Sequence, residues 1–273
     1  MELPEITILA GQMGAELVGK RISEVEVSNE KCLNIPLGRF QEVVVGREVA
    51  FIVPQGKWVF IGLEPGYALL FNTGMGADVI HFGAGDDLPE KYQIRVALDD
   101  GSGFTVRVWW FCYLHLVPTD ELSDHRMTAG MGLSPLDEEF TLKHFRELLA
   151  GRRGGIKGFL MNQRNVAGIG NVYIQDILFG AGLHPLRKID TLTEEEIVAL
   201  YGSMRDFLTE SIGMGGLAYE RDFYGKSGGY GKDQYRVAYK EGLPCPVCGA
   251  VIEKIRTGST AGFICPSCQR LKG

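Results

Sequence analysis

The strongest constraint on this chain lies near its end. The stretch PCPVCGAVIEKIRTGSTAGFICPSCQR puts Cys245 and Cys248 in one C-x-x-C, and Cys265 and Cys268 in a second after sixteen intervening residues. Two such knuckles can aim four thiolates at one zinc ion, with a short β-hairpin between them. So short a segment buries little apolar surface, so the metal contributes directly to its folding. Four thiolates leave no open coordination position, and the zinc is therefore expected to be structural. A redox pair or two disulfides are the competing readings. The first twenty residues carry Glu2, Glu5 and Glu16 and lack a basic start before an apolar run, so no signal peptide is expected. A cytoplasmic chain disfavours structural disulfides. No apolar run is long enough to predict a membrane span. The two remaining cysteines, Cys32 and Cys112, read as buried hydrophobes.

The net charge of -6 argues mildly against a polyanion partner. Its distribution argues the other way, since from Arg221 onward nine basic residues face four acidic ones. A basic C-terminal fifth on an acidic chain keeps nucleic acid in view.

Up to about residue 118 the pattern is mainly β, in short β-branched or aromatic runs such as YALLFNTG and IRVALDDGSGFTVRVWWFCYLHLV. Pro118 and the polar stretch after it read as a linker. Helical signals follow. SPLDEEFTLKHFRELLAG opens on capping residues, LTEEEIVALYGSMRDFLTESIG has an acidic first turn, and two further helical stretches flank Ala167-Gly168-Ile169-Gly170-Asn171. That turn has two readings, a backbone cradle for phosphate or a tight helix–helix turn.

Several motifs occur in order across nearly the whole chain: ELPE, an early GKW, GMG, QRNVAGIGNVY, GLHPL and the closing CPVC…CPSCQR. Together they resemble the formamidopyrimidine-DNA glycosylase and endonuclease VIII family. The resemblance implies an α+β fold: a β-sandwich domain (1–118), a linker (119–134), a helix-two-turn-helix domain with a lesion loop (135–234), and a zinc-finger hairpin (235–273). It implies a monomer that works on damaged double-stranded DNA, in the cytoplasm and on the nucleoid. Such enzymes flip out a damaged base, cleave its glycosidic bond through an amine at the chain start, and nick the strand by β-elimination. On this resemblance Glu2 is the general acid, Glu5 a supporting carboxylate, and Lys57 a cationic partner near the DNA backbone. Lys157 and Asn171 bind phosphate, and Met75 is the wedge that fills the vacated stack.

Three departures stand out. The family's usual nucleophilic proline is replaced by Met1, which is expected to escape trimming before Glu2. α-Amines as a class are partly neutral near physiological pH, so the Met1 amine can form an imine with an abasic-site aldehyde. The arginine that enters the helix opposite the flipped base is missing, and VRVWWFCYLH offers Trp109, Trp110, Phe111 and Tyr113, read either as stacking residues or as core. The zinc hairpin's phosphate arginine is replaced by Thr260, with Arg256 nearby as a substitute. The rival reading is a catalytically silent paralogue that binds damaged or bent DNA without cutting it.

Overall fold

The computed structural model describes residues 1–272. The chain forms two compact units. The first holds Met1, Leu3–Gly130 and Gly215–Gly229; the second holds Glu2, Met131–Met214 and the chain from Tyr230 onward. Among the described residues no helix is long and apolar enough to cross a membrane.

The first unit opens with helix α1 (Leu3–Leu17). Ile6, Leu9, Ala10, Met13 and Leu17 recur at helical spacing and are all buried in the core. Two four-stranded antiparallel sheets follow. One has the order β1 (Ile22–Val27), β6 (Ile94–Leu98), β7 (Gly103–Val108) and β5 (Ala77–Phe82). The other has the order β2 (Glu48–Gln55), β3 (Trp58–Glu64), β4 (Tyr67–Asn72) and β8 (Tyr113–Pro118). Helix α2 (Leu37–Val44) adds Phe40, Val43 and Val44 to a core shared with side chains of both sheets. All but the last residue of β3 are buried, as befits an inner strand covered on both faces.

Two features of this unit were not expected from the sequence. The chain start is a helix rather than part of a β region. Residues 215–229, expected within the helical domain, belong to the first unit because α1 holds their backbone. Glu5 Oε1 accepts from Leu217 N at 3.0 Å, Gln12 Oε1 accepts from Phe223 N at 2.8 Å, and Phe223 is buried in the first unit's core.

After β8 the chain is pinned by a pair of histidines. His115 and His125 meet Nδ1 to Nε2 at 2.9 Å, and His125 Nδ1 meets Thr128 Oγ1 at 2.8 Å. Burial, and then the neighbouring His125, push His115 down to about 4; burial also lowers His125. As pH falls below the ordinary 6.5 the unfolded chain takes up these protons first, so stability present above about pH 6.5 should drain away toward pH 4. Urea midpoints measured from pH 7 to 4.5 should fall, and His115→Phe should shrink that fall. An unchanged pH profile in the variant would refute the assignment.

The second unit is helical. Helix α3 (Leu142–Leu149) is capped by Thr141, whose Oγ1 accepts from His144 N. Short α4 (Ile156–Met161) and α5 (Tyr173–Gly180) flank the glycine-rich turn, and α6 (Glu194–Gly213) begins in a Thr193/Glu196 capping box. Gly180 lets α5 lie close to α6, since a Cβ there would come within 2.5 Å of Ser203 Oγ and 2.6 Å of the Phe207 ring. The antiparallel hairpin of β9 (Glu253–Thr257) and β10 (Thr260–Ile264) completes the unit. It is anchored by α5: Gln175 Oε1 accepts from Phe263 N, and buried Asp176 accepts from the backbone of Arg236, Val237 and Ala238. The α+β class, with a β-sheet domain, a helical domain and a cysteine-bearing hairpin, is as expected.

Candidate active site

In the first unit the chain start is enclosed. Met1 is buried in the apolar core, and its amine lies 3.5 Å from Glu220 Oε1. Glu5 is buried and receives Leu217 N. The same loop requires Gly216: its φ is +82°, and a Cβ there would crowd Glu5 Cγ and Oε1 at 3.2 Å. Glu220 was not singled out from the sequence, because nothing local marks it and its partner lies at the far end of the chain.

Lys57 follows Gly56 in the turn between β2 and β3 and is half-buried. Its carbonyl accepts from Asn72 Nδ2 at 2.8 Å, while Asn72 Oδ1 accepts from Gly74 N at 2.8 Å. One asparagine thus ties the Lys57 turn to the loop that carries Met75. Met75 itself is exposed, as are Trp109 and Trp110, so the alternative of core packing falls for all three. Cys32 and Cys112 are buried as expected, with their thiols in hydrogen-bond contact.

In the second unit Glu2 is buried, and its carboxylate caps the glycine-rich turn. Oε2 accepts from Gly170 N at 2.6 Å and Oε1 from Val172 N at 3.0 Å. The backbone cradle exists, and in this structure a carboxylate fills it. Asn171 Oδ1 accepts from Gln175 Nε2 at 3.1 Å. Lys157 is only 3 % exposed and donates to Thr257 Oγ1, Thr260 Oγ1 and Ala261 O at 2.8, 3.1 and 2.6 Å. Burial lowers its ammonium to about 8. Thr260 thus contributes one of the three acceptors that hold this lysine against the hairpin. Arg256 is exposed on β9, with its Nε donating to Gly258 O.

The four cysteines converge. The Sγ atoms of Cys245, Cys248, Cys265 and Cys268 all lie within 4.8 Å of one another, with separations of 3.4, 3.6 and 3.9 Å among them. A tetrahedron of Zn–S bonds of about 2.3 Å has edges of about 3.8 Å, so the cluster fits zinc. Val247 N and Cys268 N point at the sulfurs of Cys245 and Cys265 at 3.4 Å, as anionic thiolates require. The zinc is structural.

Three family models match in succession: the formamidopyrimidine-DNA glycosylase N-terminal domain over residues 1–107, the formamidopyrimidine-DNA glycosylase H2TH domain over 131–221, and a zinc finger found in FPG and IleRS over 242–271. The formamidopyrimidine-DNA glycosylase of Pelotomaculum thermopropionicum is 34% identical, with 99% of each chain covered. The chain belongs to the formamidopyrimidine-DNA glycosylase family. The glycosylase of Gluconobacter oxydans is likewise 34% identical, over 98% of this chain and 99% of its own. Among solved structures, the Lactococcus lactis Fpg bound to DNA containing an abasic site matches this family member with a TM-score of 0.89 at 26% identity, covering 99% of this chain and all of that one. A MutM structure in complex with carbocyclic 8-oxo-G containing DNA matches with the same score, identity and coverage. This member of the formamidopyrimidine-DNA glycosylase family carries Met1 and Glu2 at its start, Trp109 and Trp110 after β7, and Thr260 on the zinc hairpin.

Proposed function

We propose that this chain is a DNA N-glycosylase and abasic-site lyase that acts on damaged DNA through the amine of Met1. The observation that carries this reading is the buried amine paired with Glu220. An amine must shed its proton before it can attack, and a carboxylate 3.5 Å away is placed to take it. The neutral amine then adds to C1′ of the opened sugar, water leaves, and a protonated imine forms. The imine draws electrons from C2′; once the C2′ proton is removed, the 3′ phosphate departs and the strand is nicked. In base excision Glu2 supplies the acid at the sugar oxygen, and two backbone N–H groups fix its orientation. Glu5 supports the loop that carries Glu220. Lys57, Met75 and Arg256 meet the DNA. Lys157 and Asn171 act by shaping the hairpin and the turn that approach phosphate, because their polar atoms are engaged within the protein. A silent binder has no need of a buried amine held against a carboxylate. The protein works as a monomer in the cytoplasm.

Borohydride trapping on duplex DNA with one abasic site tests the proposal. The native protein should give a covalent adduct that maps to Met1. Glu2→Gln should slow base excision by on the order of 10² to 10⁴ while still trapping on a preformed abasic site. DNA bound without any adduct would overturn the mechanism.

A further inference from the structure

One exposed apolar surface of the first unit takes no part in the chemistry of the chain start. Met75 is 76 % exposed, Trp109 70 % and Trp110 77 %. Large apolar side chains left in water on adjacent loops mark a binding surface. The two loops are locked together. Trp109 N donates to Gly76 O at 3.2 Å, and a Cβ at Gly76 would lie 3.9 Å from the Trp109 ring. Gly74 sits at φ +61°, so close to Phe111 that any Cβ would strike its carbonyl oxygen. Beneath them Phe111 packs on Tyr113 with ring centroids 5.7 Å apart, and Tyr113 stacks on Trp58 at 5.8 Å. Trp58 directly follows Lys57, and the Asn72 bonds join that turn to the Met75 loop. A cation and two solvent-facing indoles are therefore carried on one rigid frame.

We propose that Trp109 and Trp110, alongside Met75, stack on bases left unpaired at the lesion, so that this chain binds abasic DNA without selecting the base opposite. The inference rests on the DNA-repair reading. Indole has one N–H donor and no acceptor, too little to read a base edge. Its face accepts any base, which makes stacking sequence-tolerant. An arginine in this loop would instead present a fork of donors able to choose among base edges. Lys57, in the turn that Asn72 ties to the Met75 loop, brings the positive charge that a backbone requires.

The test uses the full-length zinc-loaded protein and duplexes with a tetrahydrofuran abasic analogue opposite A, C, G or T. The four affinities should agree within about threefold, and a single strand with the same analogue should still bind. Two of the protein's three tryptophans lie on this surface, so binding should quench its intrinsic fluorescence. Trp109→Ala with Trp110→Ala should weaken binding at least about tenfold on all four duplexes, and the corresponding phenylalanine pair should restore most of the loss. A native preference above tenfold for one opposite base would overturn the inference, as would alanine variants that bind like the native protein. If abasic DNA is bound and trapped while the tryptophans prove dispensable, only this inference fails. If abasic DNA is not bound at all, the repair reading fails with it.

Discussion

Adding a single residue before Met1 should abolish borohydride trapping on abasic DNA, a loss on the order of 10⁴-fold or more, the scale on which removing a covalent nucleophile acts. The new residue turns the amine into an amide, which cannot form an imine. It also places a peptide where an ammonium now faces Glu220 at 3.5 Å, next to a side chain held in the core. Binding to an uncleavable abasic analogue separates the two effects, because loss of the nucleophile leaves affinity within a few-fold. Intact-mass analysis of each preparation verifies the chain start. Undiminished trapping by the extended protein would move the nucleophile elsewhere, and the adduct peptide would name it.

Cys265→Ser should release zinc and weaken DNA binding by about 100-fold or more. Structural zinc contributes about 10 to 16 kcal/mol to the folding of small finger peptides, far beyond what this hairpin can replace. Cys265 is fully buried in a small cluster with Phe179, Val237, Ile252 and Phe263, so the hairpin loses its metal and its core together. The loss spreads to Lys157, whose three acceptors all belong to the hairpin and its turn. Zinc released to a colorimetric chelator, measured beside affinity for abasic DNA, checks both parts. A variant that loses zinc but keeps its affinity would remove the hairpin from the DNA-binding surface.

What could be read from the sequence follows from how far apart the partners lie. The zinc ligands come in two short repeats, and the α6 capping box spans four consecutive residues, so both are visible locally. Helix α1 was hidden because Pro4 and two glycines, Gly11 and Gly14, interrupt the signals of an amphipathic helix. The packing of residues 215–229 against the first unit was not legible because Glu5 and Gln12, which hold the segment, lie more than two hundred residues away. Glu220 is invisible for the same reason. Trp109 and Trp110 show a different limit, since aromatic residues at a strand end look alike whether they fill a core or face water. Lys157 matched its motif and yet turned inward, because its three acceptors, on Thr257, Thr260 and Ala261, lie on a hairpin about a hundred residues away.

An N-terminal proline owes the direction of its amine to a closed ring. A methionine owes it to whatever grips its side chain, and here that grip is the hydrophobic core, where Met1 is 9 % exposed among residues of α1 and both sheets. On the proposed mechanism, the aim of the nucleophile is thus a property of side-chain packing. A mutation that loosens the interior near α1 should blunt catalysis at temperatures where the fold itself still stands.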